Sequence, residues 1–204
     1  MSTDGQHYRQ DVPGFGVVTI RPVRPDEDVD LLHGWVTQER ARFWGMLDAS
    51  RERVHEIYAY LDSLDTHHAY LVHRDGVPAA LAQTYQPEAD PVGECYEVRP
   101  GDVGVHLLIG PPVAVEPGFT GALFGAILDF VLADPTRLRV VMEPDARNDR
   151  MIERLLRSGF DPGPLIDLPN KRAKLFFLAR PTPAPSILHF RSPMTPDSRL
   201  STGQ

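Results

Sequence analysis

At 204 residues with one cysteine, Cys95, the chain is long enough for a single domain with a sizeable core but cannot form an intrachain disulfide. Its formal net charge of −7 argues against a nucleic-acid binder, because neutralising phosphates needs a basic surface. The N-terminus has no basic-then-apolar leader, and the longest apolar run is broken by Asp129 before it could span a bilayer, so a soluble cytoplasmic protein is expected.

Residues 1–12 are polar and expected to form a loose tail ahead of one domain over 13–180. Gly16–Pro22 reads as the first strand. Arg24-Pro25-Asp26 opens a helix with Val29, Leu32, Trp35 and Val36 on its apolar face, and Ser50–Leu64 forms a second through Val54, Ile57, Tyr58 and Leu61. Asp75-Gly76 between two apolar runs predicts a hairpin of His68–Arg74 with Val77–Tyr85, so the sheet is partly antiparallel. Gln86–Arg99, with Pro87, Pro91 and Gly93, is expected to be a long loop.

An α/β cassette follows. Asp102–Gly110 is apolar on both faces apart from His106, as in an interior strand. Beyond Pro111-Pro112 and Pro117-Gly118, helical spacing of Phe119, Ala122, Leu123, Ala126, Ile127, Phe130 and Val131 predicts a helix to Ala133. Arg137–Glu143 is the next strand, and Asn148 can cap a helix carrying Met151, Ile152, Leu155 and Leu156. Leu165–Leu168 and Arg172–Ala179 close the sheet, and residues 181–204 form a proline-led polar tail expected to be disordered or to lie on the surface.

Several residues in this pattern carry possible chemistry, each beside a plain structural role. His106 is the polar exception in its strand, either a general base with an ordinary pKa of about 6.5 or a core histidine bonded to a carbonyl. Asp145 could hold an ammonium or simply cap the helix near Asn148. Gly118 and Gly121 leave the first helical turn bare, so its free N–H groups could meet a pyrophosphate or merely pack a tight turn. Trp44, Gln83, Tyr85 and Tyr96 could wall an aliphatic slot or belong to the core. Lys171 and Arg172 could pair with a phosphate or be solvated, and His67, His68 and His73 match no metal-ligand spacing, so no metal is expected.

The blocks Asp102-Val-Gly-Val-His106-Leu-Leu-Ile-Gly-Pro, Glu143-Pro-Asp145-Ala-Arg-Asn148, Ser158-Gly-Phe160 and Leu168-Pro-Asn-Lys171-Arg-Ala173, with His33-Gly-Trp35, Phe43-Trp44-Gly and Gln83-Thr-Tyr85 before them, resemble the acyl-CoA N-acyltransferases of hydroxamate-siderophore biosynthesis, a branch of the GNAT superfamily. The resemblance covers roughly Val17 to Arg180. It implies an α/β (α+β) GNAT fold, a mixed, mostly antiparallel sheet flanked by helices with splayed central strands. It also implies direct transfer of an acetyl, succinyl or similar group from acyl-CoA to a primary amine or hydroxylamine such as lysine, N6-hydroxylysine or N-hydroxycadaverine. His106 and Asp145 then match the catalytic positions. Leu107, Leu108, Ile109, Gly118, Phe119, Thr120, Gly121, Ala122 and Asn148 fall where the co-substrate binds, and Trp44, Gln83 and Tyr85 where the acceptor does. Two departures stand out: Pro117-Gly-Phe-Thr-Gly-Ala122 lacks the leading Arg or Gln of the superfamily's phosphate motif, and Leu155 lies where many members carry a tyrosine acid. A small-amine acetyltransferase acting on aminoglycosides and a silent acyl-CoA-binding module are the alternatives.

Overall fold

The computed structural model describes residues 8–111 and 116–181. Pro112 and the tail from 182 lie outside them. Eight strands form one sheet: β1 (Tyr8–Val12), β2 (Gly16–Pro22), β3 (His67–Arg74), β4 (Val77–Tyr85), β5 (Asp102–Ile109), β6 (Arg139–Met142), β7 (Asp161–Leu168) and β8 (Lys171–Ala179), in the order β1-β2-β3-β4-β5-β6-β8-β7. Every neighbouring pair is antiparallel except β5 and β6. Four α-helices flank it: α1 (Pro25–Val36), α2 (Arg51–Asp62), α3 (Phe119–Ala133) and α4 (Asp149–Arg157). Among the described residues no helix is long and apolar enough to cross a membrane.

Period-two alternation sorts the strands onto two faces. On one, Val103, Val105, Leu107, Val140, Met142 and Phe176 pack beneath Leu123, Phe124, Ile127 and Val131 of α3 and Leu155 of α4. On the other, Leu71, Leu81 and Leu108 meet Leu32, Trp35 and Val36 of α1 and Val54 and Tyr58 of α2, while Tyr85, Val141, Ala173 and Leu175 build a third cluster toward β8. Because Gln83 and Tyr85 share parity with Leu81, His106 with Leu108, and Glu143 with Val141, all four polar side chains arrive on this second face.

Three expectations change. Tyr8–Val12 is not loose but an edge strand, in register from Tyr8↔Ile20 to Val12↔Gly16, its Tyr8 ring 5.3 Å from Phe130. Its alternating intermediate and exposed pattern is a half-buried strand that the polar composition concealed. The last hairpin starts at Asp161, earlier than expected, because Pro162 and Pro164 sit on an outer strand where a missing N–H breaks no ladder. The Gln86–Arg99 segment contains two short 3-10 turns, Pro87–Ala89 and Pro91–Glu94, each begun by a proline whose missing N–H is not needed there.

The strand that places His106 depends on Gly104. A Cβ there would lie 2.0 Å from Cζ of Tyr85, a ring that is only 3% exposed and is tied down by its hydroxyl, so it cannot yield cheaply. Gly104→Ala is expected to destabilise the fold by about 1–3 kcal/mol, the usual cost of overpacking. Thermal unfolding should show a Tm lowered by several degrees; an unchanged Tm would mean that the ring moves freely.

Candidate active site

β5 and β6 pair only through Asp102↔Arg139, Val103↔Val140 and Gly104↔Val141, then part, while β5 stays paired to β4 as far as Ile109↔Ala80. Beyond Met142 the β6 chain follows β8 instead, through Lys174 N–H to the Pro144 carbonyl at 3.0 Å and the Asp145↔Ala173 bridge. Two residues past the last pair on either strand, His106 and Glu143 reach across the gap: His106 Nε2 hydrogen-bonds Oε1 of Glu143. On its other side His106 Nδ1 lies 3.3 Å from Oε1 of Gln83, its cross-strand partner.

Glu143 is the anchor of this cluster, although its side chain is only 3% exposed. Tyr85 donates its hydroxyl to Oε2 at 2.7 Å, and Lys171 Nζ donates to Oε1 at 3.3 Å and to the Glu143 carbonyl at 2.8 Å. Burial alone pushes this carboxyl up, but the imidazole of His106, the Lys171 ammonium and the Tyr85 hydroxyl outweigh it and hold the group down at about 2. Tyr85 responds in the opposite direction: burial and the neighbouring Glu143 charge raise its phenol, so it remains a donor. The polar chain continues outward, with Trp44 Nε1 donating to the Tyr58 hydroxyl at 3.2 Å and the Trp44 ring edge-on to the His106 imidazole at 6.3 Å. Tyr58 is buried, and burial raises its phenol as well.

These groups open on a cavity of about 920 Å³ between the parted strands. Of the residues singled out by sequence, Trp44, Gln83, His106, Leu107, Leu108, Ile109, Asp145 and Asn148 line it together. Gly118, Phe119, Thr120, Gly121 and Ala122 form the cap and first turn of α3 and are not among its lining. Tyr85 is corrected from acceptor wall to support: it lies behind His106, ring centroids 5.0 Å apart, with its hydroxyl spent on Glu143. Asp145 shares the cavity, but the carboxylate partner of His106 is Glu143. The Asp145 carboxylate instead accepts from the Arg147 side chain at 2.8 and 2.7 Å and from the Arg147 N–H at 2.9 Å, and the guanidinium hydrogen bonds hold its pKa below the usual range. Asn148 caps α4 through Met151 N–H.

Sequence reasoning missed Glu143, Tyr58 and Arg40, and read Lys171 as a phosphate partner or a solvated cation. Arg40 donates to the carbonyls of Ile109 at 2.6 Å and Gly110 at 2.9 Å, closing the end of β5. The signal for Glu143 was present, since its parity with Val141 puts it on the His106 face, but only the parting of the strands makes the two meet.

The residues present suit an extended thioester co-substrate. Gly110 N–H faces β4, so by antiparallel alternation the backbone groups of Leu107 and Ile109 face the open edge. At the start of α3, Gly118 has φ +82°, and a Cβ there would meet nothing within 4 Å, while one on Gly121 would meet only the Arg154 guanidinium at 3.2 Å. That bare turn leaves room for an anionic group beside a cation from α4. Among the described residues no group of His, Cys, Asp and Glu is placed to hold a metal.

Comparison with known proteins assigns the class. The acetyltransferase (GNAT) domain family matches residues 24–168, and the chain belongs to that family. It is 27% identical over 187 residues to the N(6)-hydroxylysine O-acetyltransferase of Escherichia coli, a match covering 86% of this chain but 56% of that protein, so the chain spans little more than half of this curated relative. Among solved structures it is similar to an uncharacterised protein of Bacillus halodurans, at 27% identity and TM-score 0.77 over 86% of this chain and 90% of the other. The aminoglycoside acetyltransferase AAC(6')-Ib, solved with paromomycin and acetyl-CoA, superposes with TM-score 0.70 at 23% identity over 80% of this chain and 93% of that one, a likeness of fold.

The depressed Glu143 carboxyl has a consequence for stability. A group whose folded pKa lies below its ordinary value of 4.5 contributes stability that is complete above that value and is lost as pH falls toward about 2. Glu143→Gln should therefore be less stable than the parent at pH 7, and the gap should narrow between pH 4.5 and 2. Denaturant titrations across that range check it; a gap independent of pH would mean that the carboxylate charge is not what holds the cluster.

Proposed function

We propose that this chain is an acyl-CoA-dependent N-acyltransferase whose acceptor is a primary amine or hydroxylamine of the lysine, N6-hydroxylysine or N-hydroxycadaverine type, serving hydroxamate-siderophore assembly in the cytoplasm. The observation that carries this is His106, held between the buried Glu143 and Gln83 where two strands part beside a cavity. The name of the Escherichia coli relative supports a hydroxylysine acceptor.

Glu143 accepts the Nε2–H of His106, which leaves Nδ1 as the nitrogen able to take a proton. Nδ1 and Gln83 Oε1, 3.3 Å apart, are both acceptors in that tautomer, so they form a hydrogen bond only once Nδ1 is protonated and can donate to Gln83. Acyl-CoA, lying along the open edge at Leu107 and Ile109 with its phosphates at Gly118–Ala122, would supply the thioester carbonyl that the acceptor nitrogen attacks; the C–N bond forms as the C–S bond breaks, and coenzyme A leaves as a thiolate that takes up a proton from the imidazolium or from water. An amine near its ordinary pKa of ~10.4 must first lose a proton, and Nδ1 can accept it. The imidazolium formed is compensated by the Glu143 carboxylate, which Tyr85 and Lys171 keep ionised. Trp44, edge-on to the imidazole, gives the acceptor's aliphatic stem an apolar wall. Asp145 acts here through Arg147. A polycationic aminoglycoside suits the cavity poorly, because Arg40, Arg42, Arg147, Arg150 and Lys171 line it against Glu143, Asp145 and Asp149, the first two already paired.

His106→Ala should lower kcat by roughly 10²–10⁴ with acyl-CoA binding little changed. Product formation can be followed with ferric ion, which colours an N-acylated hydroxylamine but not an O-acylated one. Near-parental turnover by folded His106→Ala protein, or a colourless product from a hydroxylamine acceptor, would reject the assignment.

A further inference from the structure

The rim of the cavity is more cationic than folding requires. The chain carries a formal net charge of −7, yet Arg40, Arg42, Arg147 and Arg150 all line this one cavity. Among the described residues neither Arg40 nor Arg150 has a carboxylate partner. Arg40 is used on backbone carbonyls, and burial lowers its pKa without expelling it.

Two of these arginines form a defined subsite. Arg42, Phe43 and Arg147 line a recess of about 430 Å³, the Arg42 guanidinium 4.7 Å and the Arg147 guanidinium 5.9 Å from the centre of the same Phe43 ring. Like charges gathered on one ring repel, and their compensation is incomplete. Asp145 takes Arg147 Nε and Nη2 in a bidentate pair that orients this 80% exposed side chain, leaving Nη1 with no carboxylate. Arg42 has only Glu39, at 3.8 Å and on the surface, a pair worth little. The recess thus combines a guanidinium oriented by Asp145, a less constrained one and an aromatic floor, the chemistry that recognises a planar carboxylate.

Its place relative to His106 matters. Arg42, Phe43 and Trp44 are consecutive in the 3-10 helix Glu39–Trp44, and Trp44 lies edge-on to His106. At about 2 Å of rise per residue, Arg42 is set back from Trp44 by only ~4 Å along that axis. An aliphatic stem along Trp44 would join a group held there to the reacting centre, and Gly118–Ala122 take no part in the recess.

Resting on the transferase function proposed above, we infer that Arg42 and Arg147, on either side of Phe43, bind a carboxylate of the reacting pair and thereby select an amino-acid-like acceptor or a dicarboxylic acyl group over their uncharged counterparts. The two sources share one chemistry and are separated by crossing substrates. The full chain is assayed with N6-hydroxylysine and N-hydroxycadaverine, each with acetyl-CoA and succinyl-CoA, as the parent, Arg42→Gln and Arg42→Lys. Losing a charge-assisted hydrogen bond should raise KM tenfold or more for whichever partner carries the carboxylate, leave its uncharged counterpart and kcat within about twofold, and be partly restored by Arg42→Lys. Selective loss with N6-hydroxylysine assigns the carboxylate to the acceptor, and selective loss with succinyl-CoA assigns it to the acyl group. Equal losses for charged and uncharged partners overturn the inference. So does a loss present with CoA esters but absent with their 3'-dephospho forms, because the anion is then the co-substrate's phosphate. Calorimetric binding of the same amines and thioesters separates this outcome from failure of the transferase function. Binding that prefers the carboxylate and depends on Arg42, without any product, upholds the subsite and rejects the chemistry; turnover without that preference does the reverse.

Discussion

Everything chemical about this protein depends on one divergence: after three residue pairs, the parallel strands β5 and β6 stop hydrogen-bonding to each other. Each remains anchored on its far side, β5 to β4 and β6 to β8, so the gap opens without unravelling the sheet. Pro144, with no N–H to donate, sits where the ladder turns away and its carbonyl is taken by Lys174 of β8. The wedge leaves backbone groups of β5 without a strand partner at the centre of a domain, where such groups are normally satisfied, and Arg40 takes one of them, the Ile109 carbonyl. That is a cost without purpose in a merely structural sheet, and it suits a fold that receives an extended ligand as a temporary strand.

A polar bridge spans the wedge at its apex. Glu143 is a buried charge, and an unpaired buried carboxylate would take up a proton or destabilise the fold. Here it accepts from His106, Tyr85 and Lys171, drawn from three separate strands, so the charge is kept by cooperation between elements that the chain brings together only on folding. The same contacts orient the imidazole and keep its neighbour ionised. Among the described residues no buried side-chain N or O atom lacks a partner, so the cluster is fully satisfied in spite of its polarity.

The surface around this apex is charged in the opposite sense to the chain as a whole. An acidic protein that gathers arginines around one cavity presents a locally positive field there despite its net charge. Phosphates and a carboxylate make different demands: a bare helix start with a neighbouring cation serves the first, and a pair of guanidiniums gathered on an aromatic ring serves the second. The two features lie on different elements, α3 with α4 for one and the Glu39–Trp44 turn with the β6–α4 connection for the other.

Much was determined by sequence alone. Asp75-Gly76 set the hairpin, the three/four spacing from Phe119 to Val131 set α3, and the apolar run around His106 marked both an interior strand and the polar side chain within it. These are local signals, carried by turn chemistry and by the periods of helix and strand. Tyr8–Val12 escaped because a half-buried edge strand of polar residues gains its stability from a partner and not from its own pattern. The partner of His106 escaped for a deeper reason. Asp145 follows Pro144 conspicuously, whereas Glu143 ends an apolar strand without distinction; only the register of two strands, and the residue at which they part, aligns Glu143 with His106 and turns Asp145 toward Arg147. Side-chain parity is written in the chain, but which parities meet across a sheet is decided by long-range pairing.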